Sequence, residues 1–175
     1  YWKNDWWTIA LQPYLRKIID QGFDGVYLEG VDMYDFWDNP KEMNTLIIKI
    51  SELAKQRGGD EFLIVPENGM GLLQWVSARS RESYLTAIDG IALTSLFFDT
   101  SPENRALGIT LLKYYKQKSI PIFDREFTNK KNEDILRDAL DWVKQKKDID
   151  ISLYRANNDD TASSILNPPF VPEKY

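Results

Sequence analysis

The stretch from Gly22 to Asp32, GFDGVYLEGVD, decides the fold class of this sequence. A short apolar run, Val26 to Leu28, has a glycine on each side and is followed by two carboxylates, Glu29 and Asp32. This pattern is typical of a buried parallel strand whose C-terminal end opens into a loop. Because ligands gather at the C-terminal ends of strands in α/β folds, Glu29 and Asp32 are predicted to lie at a functional site.

Further apolar segments alternate with helical patterns along the chain, and this alternation favours a parallel sheet. The helix before the first strand contains Pro13, so it either kinks there or begins its regular part there. In that helix Trp6 and Trp7 are predicted to be core residues. Residues 1–166 are predicted to form one α/β domain, and the Pro-rich residues 167–175 an irregular tail. The predicted strands are Val26–Glu29, Phe62–Pro66, Ile88–Thr94, Ile120–Phe123 and Ile149–Tyr154.

Composition excludes several classes of protein. With 175 residues and 43% hydrophobic content, the chain is long enough for a globular domain with its own core. The net charge of −5 argues against nucleic acid as a partner, since a basic surface would be expected for it. No membrane span and no signal peptide are visible in the sequence.

The chain contains neither cysteine nor histidine, which restricts its chemistry. Thiol catalysis, histidine-based triads and the commonest zinc ligands are excluded, so acid–base work must use carboxylates, Tyr or Lys. Gly22 and Gly25 precede a strand instead of following one, so they do not form a dinucleotide-binding motif, and no P-loop is present. No carboxylate-rich loop has the ligand spacing of a calcium site. We therefore predict no cofactor and no metal.

The segment from Phe23 to Asp32, with Tyr34, Phe36 and Trp37 behind it, resembles the signature of the endo-α-1,4-polygalactosaminidase-type glycoside hydrolases. These TIM-barrel proteins include relatives of a thermophile protein once labelled as related to cysteinyl-tRNA synthetase. Their motif is roughly F-D-G-V-Y-L-D-x-x-D, and Glu29 stands where Asp is usual. The resemblance implies a TIM-type (β/α)₈ barrel of which this chain holds strands four to eight. The missing strands would come from an absent N-terminal segment.

A glycosidase needs two carboxyl groups that flank the scissile bond. The resemblance makes Glu29 the first of them. The segment from Pro66 to Met70, PENGM, resembles the family segment P-Q-N-G-E, with Glu67 at the Gln position and Met70 at the acidic one. Glu67 is therefore the predicted second catalytic carboxylate. By their positions at strand ends, Asp32, Asp124 and Glu126 are further candidates.

Other polar and aromatic side chains near the strand ends are predicted to bind the sugar. Carboxylates suit a galactosamine polymer, whose free amines are positively charged, and aromatic rings can stack on sugars. More ordinary interpretations stay open: Asp32 could cap its loop, Asp124 could pair with Arg125, and Asn68 with Gly69 could form a tight turn. The predicted substrate-binding residues are Tyr1, Trp2, Tyr27, Asp32, Trp37, Asn68, Asp124 and Arg155.

The resemblance implies hydrolysis of an extracellular polysaccharide, an α-1,4-linked galactosamine polymer, by a protein that is extracellular or at the cell surface. A second interpretation is a catalytically silent, carbohydrate-binding barrel, because Glu29 and Met70 are what a decayed site would contain. A third is an enzyme that acts on a small molecule with the same barrel.

Overall fold

The computed structural model describes residues 3–97, 101–127, 133–145 and 151–156. The chain divides into two compact units, Tyr1–Ile91 and Ala92–Tyr175, and each is described by itself. The strands are β1 (Gly25–Leu28), β2 (Leu63–Pro66), β3 (Ile91–Thr94), β4 (Ile122–Phe127) and β5 (Ile151–Ala156). The α-helices are α1 (Asn4–Trp6), α2 (Gln12–Asp20), α3 (Met33–Trp37), α4 (Pro40–Gly58), α5 (Leu72–Trp75), α6 (Ala78–Ala87), α7 (Pro102–Gln117) and α8 (Glu133–Gln145).

The helical start of the first unit shows how Pro13 is accommodated. A π-helical turn, Trp7–Leu11, joins α1 to α2, and Pro13 lies in the first turn of α2. Proline lacks the N–H that a helix interior needs, so the first turn is the position that tolerates it. The regular part of the helix therefore begins beside Pro13. Gly22, with φ 82°, then turns the chain towards β1.

The sheet of the first unit is a parallel pair, β1 with β2, and α4 provides the crossover. Gly25 stands opposite Leu63 in this register. A Cβ at position 25 would lie 2.6 Å from the backbone oxygen of Leu63, so the close approach of the two strands requires glycine here. The parallel α/β arrangement predicted from the alternation is confirmed.

The core of the first unit lies between the helices and one face of this sheet. The buried side of α4, with Met43, Ile47, Ile50 and Ala54, packs against α2 and α6. Ile64 of β2 is buried on the same side of the sheet, whereas Tyr27 and Leu63 on the opposite side are half-exposed. The face that carries Tyr27 is therefore open to solvent in the first unit.

The second unit contains the sheet β3-β4-β5, with β3 starting at the unit boundary and β4 parallel to β5. Helix α7 begins after Ser101, whose side chain accepts a hydrogen bond from the Asn104 N–H at 3.1 Å. This is the preferred way to satisfy a free N–H in the first helical turn. Leu112 and Tyr115 form the fully buried side of α7.

The structure corrects several predicted boundaries. Some strand limits differ by one or two residues: β1 ends at Leu28, β2 begins at Leu63, β4 begins at Ile122 and β5 ends at Ala156. The fourth strand does not stop at Phe123 but continues to Phe127, so Asp124 and Glu126 lie inside β4. The third strand begins at Ile91 instead of Ile88. Tyr84–Ala87, just before the predicted third strand, form the last part of the helix α6. Tyr34, Phe36 and Trp37, which follow the Phe23–Asp32 motif, all lie within the helix α3.

Candidate active site

The candidate site lies where β1 and β2 end, in two neighbouring loops of the first unit. The β1 loop begins at the exposed Glu29 and turns at Gly30, which has φ 72°. The N–H of Met33 closes this turn by donating to the Gly30 carbonyl at 3.2 Å. Asp32 occupies the N-cap position of α3, but its side chain makes no capping hydrogen bond. Its carboxylate is therefore not used to cap the helix.

The β2 loop is joined to the end of β1 through its backbone. The N–H of Glu67 donates to the Leu28 carbonyl at 2.9 Å. Asn68 follows in the left-handed conformation, with φ 56°, and leads into a 3₁₀ turn over Gly69–Gly71. The tight-turn interpretation thus describes the backbone of Asn68. The hydrogen bond to the Leu28 carbonyl, which precedes this turn, places Glu67 beside the start of the β1 loop.

Asp32 and Glu67 interact electrostatically across these two loops. Although Asp32 is exposed as a residue, partial burial of its carboxyl raises the pKa of the group. A hydrogen bond with its own backbone opposes this, and the charges of Glu67 and Asp35 raise the pKa of Asp32 further. The structure therefore brings together Asp32 and Glu67, two of the residues predicted from the sequence.

A cavity of about 500 Å³ adjoins Glu29 in the first unit. Its rim carries aromatic side chains, Tyr27, Trp37 and Trp6, each of which is exposed to solvent. Its floor is apolar and comes mainly from Leu28 and from α4. The predicted residues Tyr27, Glu29 and Trp37 are thus brought together. Trp6 was expected in the core and lines the cavity instead, while Trp7 is buried as predicted.

The carboxylates of β4 belong to the second unit and are fully buried. Asp124 accepts a hydrogen bond from the Leu96 N–H at 3.4 Å, and Glu126 accepts one from the Phe97 N–H at 2.6 Å. Burial, followed by the charge of Glu126, raises the pKa of Asp124 to about 9. Arg125 alternates with these two residues along the strand and so points to the other face of β4.

Some predicted binding residues are not described in full. Tyr1 and Trp2 lie outside the described residues. Arg155 stands opposite Glu126 in the β4–β5 register, and its side chain is outside the described part. Within the described ranges there is no cluster of three or more residues of metal-ligating type. No helix in those ranges is long and apolar enough to cross a membrane.

No family model matches the chain. It is similar to uncharacterized proteins of three prokaryotes. The protein of Methanocaldococcus jannaschii is 30% identical over 173 residues, which cover 91% of this chain and 49% of that protein. The protein of Deinococcus radiodurans is 31% identical over 138 residues, which cover 74% of this chain and 42% of that protein. The chain therefore spans about half the length of these relatives or less.

Solved structures share the fold of the chain. The Ega3 protein of Aspergillus fumigatus, in complex with galactosamine, matches with a TM-score of 0.60 and 17% identity, over 85% of this chain and 56% of Ega3. The glycoside hydrolase domain of PelA from Pseudomonas aeruginosa matches with a TM-score of 0.60 and 12% identity, over 87% of this chain and 60% of the PelA domain. The chain therefore shares the fold of Ega3 and of the PelA domain, and the resemblance seen at Phe23–Asp32 is confirmed at the level of the fold.

Proposed function

We propose that the chain belongs to a glycoside hydrolase that uses two of its own carboxyl groups to cleave a polysaccharide. The observation that carries this proposal is the meeting of two carboxylate-bearing loops at the ends of the paired strands β1 and β2. The hydrogen bond from the Glu67 N–H to the Leu28 carbonyl fixes the start of one loop beside the other. The aromatic-rimmed cavity that Glu29 lines supplies apolar surface on which sugar rings could stack.

Glu29 and Glu67 are the catalytic carboxyls in this proposal. One of them protonates the glycosidic oxygen as the bond to it breaks. The other attacks the sugar carbon or removes a proton from the attacking water. The charge of Glu67 raises the pKa of Asp32. In this proposal Asp32 either orients Glu29 and Glu67 or shares a proton with Glu67. Tyr27, Trp37 and Asn68 complete the sugar-binding surface of the first unit.

The proposed architecture is a TIM-type (β/α)₈ barrel in which residues 1–166 supply strands four to eight. The similarity to structures of which the chain covers 56% and 60% supports it. The position of β1 also supports it. In the described part of the chain, β1 pairs with β2 on one edge only, and Leu28 of β1 and the helix α4 form the apolar floor of the cavity. A further strand along the other edge of β1 would cover that floor.

The proposed substrate is an α-1,4-linked galactosamine polymer, met outside the cell or at its surface. Galactosamine in the similar Ega3 structure supports this choice. The exposed carboxylates Glu29 and Asp32 suit a substrate with free amines. Arg155 of the second unit stays a proposed sugar contact, as do Tyr1 and Trp2 of the first. Asp124 is fully buried in the described structure and offers no surface to a sugar there.

A catalytically silent carbohydrate-binding barrel is the second candidate. It is favoured by Met70, which stands at the position where the resembled family has an acidic residue. Met70 is 8% exposed, so this position contributes to packing and offers no carboxylate to a substrate.

Reducing-end release from a partly deacetylated galactosamine polymer, measured with the full chain, tests the proposal. Cellulose and chitosan serve as neutral and cationic control polymers. Release from the galactosamine polymer supports the hydrolase. Polymer binding without release supports the silent barrel, and neither binding nor release would overturn both.

A further inference from the structure

The two loops that carry the candidate carboxylates interlock through two glycines. Gly69 and Gly71 flank Met70 in the β2 loop. Gly69 sits against Val31 of the β1 loop, and Gly71 against Tyr34 of α3, the helix that follows this loop. A Cβ at Gly69 would lie 2.5 Å from Cγ1 of Val31. A Cβ at Gly71 would collide with the hydroxyl oxygen of Tyr34.

The backbone does not require glycine at either position. Gly71 has φ −61° and ψ −24°, an ordinary right-handed helical conformation that alanine adopts without strain. Gly69 is likewise absent from the residues with positive φ. The close approach of Val31 and Tyr34 is therefore the reason that these positions lack a side chain.

Val31 and Tyr34 are themselves firmly held. They are 3% and 7% exposed, so neither can swing into solvent to make room for a new group. They flank Asp32, with Val31 directly before it in the sequence. Any shift of the β2 loop against these two side chains therefore changes the separation between Glu67 and Asp32.

We propose that Val31 and Tyr34 are positioning residues that seat the Gly69–Gly71 turn and thereby set the spacing of Glu67 from the β1-loop carboxylates. The proposal rests on the proposed function for its catalytic consequence. The geometry of the interlock itself can be tested without any turnover.

The first test measures the pKa of Asp32 by carboxyl-carbon NMR titration in Gly69→Ala and Gly71→Ala. Because the charge of Glu67 raises the pKa of Asp32, displacement of the β2 loop should move this pKa towards its ordinary value. Gly59→Ala is the control: it strains a residue with φ 96°, but its Cβ meets nothing within 4 Å. It should lower stability and leave the Asp32 titration unchanged.

The second test is rescue by a compensating change. Tyr34→Phe removes the oxygen that the new Cβ meets in Gly71→Ala and leaves the ring carbon Cζ at 3.6 Å, an ordinary contact. In Gly69→Ala, Val31→Ala removes the methyl group that the new Cβ would meet and leaves the Tyr84 hydroxyl oxygen at 3.1 Å, a tight contact. Tyr34→Phe/Gly71→Ala should therefore regain the parent titration of Asp32, and Val31→Ala/Gly69→Ala most of it.

Kinetics complete the test where the chain hydrolyses its polymer. A displacement of about 1 Å at a catalytic group can lower the rate about 100-fold, so kcat should fall about 10- to 100-fold in Gly71→Ala, with KM little changed. Tyr34→Phe/Gly71→Ala should recover most of it. An Asp32 titration that matches the parent in both folded single variants would overturn the interlock. A parent without turnover would overturn the proposed function alone.

Discussion

The N–H of Glu67 donates a hydrogen bond to the carbonyl of Leu28 at 2.9 Å, so the residue after β2 is tied to the last residue of β1. This bond continues the β1–β2 pairing by one step beyond the strands themselves. It brings a glutamate from one loop close to the loop that holds Glu29 and Asp32. The consequences for ionisation, stability and turnover can be measured separately.

Glu67→Gln should lower the pKa of Asp32. The charge of Glu67 raises this pKa, and the glutamine has no charge, but partial burial of the Asp32 carboxyl is the larger cause and persists. The value should therefore fall without returning fully to that of an exposed aspartate. Asp35→Asn should lower it as well, by less, because the Asp35 charge contributes less than that of Glu67. Carboxyl NMR titration gives all three values.

Glu61→Gln is the control for this titration, since Glu61 is exposed and precedes the N-terminal end of β2. It should leave Asp32 unaffected. An identical Asp32 titration in the parent and in Glu67→Gln would show that the two carboxylates do not interact.

Asp124→Asn should flatten the pH dependence of stability. The pKa of Asp124 is about 9 in the folded chain and 3.8 in its ordinary state. Between these values the folded state binds a proton that the unfolded state has released. The free energy of unfolding therefore falls as pH rises from about 4 to about 9. Asparagine does not titrate, and its carbonyl oxygen can still accept from the Leu96 N–H.

Urea denaturation at about pH 5, 7 and 9 measures this slope. Asp138→Asn, an exposed change in α8, is the control and should keep the slope of the parent. If Asp124→Asn loses stability with pH as steeply as the parent does, the buried carboxyl is not the source.

Asp89→Ala should destabilise the first unit. The Asp89 carboxylate accepts from the Ile64 N–H at 2.9 Å and from Lys55 Nζ at 2.8 Å, both partly buried. Removing it leaves the Ile64 N–H at the start of β2 without this acceptor, which costs about 1–3 kcal/mol. Chemical denaturation with an unchanged m-value would measure the loss.

Asp20→Ala is the matched comparison, because Asp20 pairs with Arg57 at 2.8 Å while both side chains are about half exposed. Exposed pairs contribute about 0–1 kcal/mol. Equal losses in the two variants would mean that the Asp89 contact has no special role in β2.

Met70→Glu should destabilise the chain without creating activity. Met70 is 8% exposed, and a carboxylate in its place would lose water without a prepared partner. Met70→Leu keeps the volume and should change stability by less than about 1.5 kcal/mol. Thermal denaturation and the reducing-end assay would follow both variants. A gain of polymer cleavage in Met70→Glu, absent from the parent, would favour the silent barrel with a lost acid.

The sequence predicts the β1 loop well, because two glycines and an apolar run leave little choice of strand end. The same pattern fails for β4, where the strand continues through Asp124 and Glu126. Carboxylates can be buried there because the N–H groups of Leu96 and Phe97 bond to them. Those donors come from another segment, so local composition does not reveal them.

The local sequence pattern also does not predict the contacts of Gly69 with Val31 and of Gly71 with Tyr34. Gly69 and Gly71 look like ordinary turn residues, but their lack of side chains follows from Val31 and Tyr34, far away in the sequence. Trp6 was predicted to be a core residue. The π-helical turn that follows it alters the angular spacing of the side chains, and Trp6 reaches the cavity rim.

The most direct test of the central claim is the initial rate of reducing-end release from a galactosamine polymer by the parent, Glu29→Gln, Glu67→Gln and the control Glu61→Gln. If Glu29 and Glu67 are the acid–base pair, each change should lower kcat by about 100-fold or more, while polymer binding and Glu61→Gln activity persist. Glu29→Gln and Glu67→Gln proteins that cleave as fast as the parent would contradict the assignment.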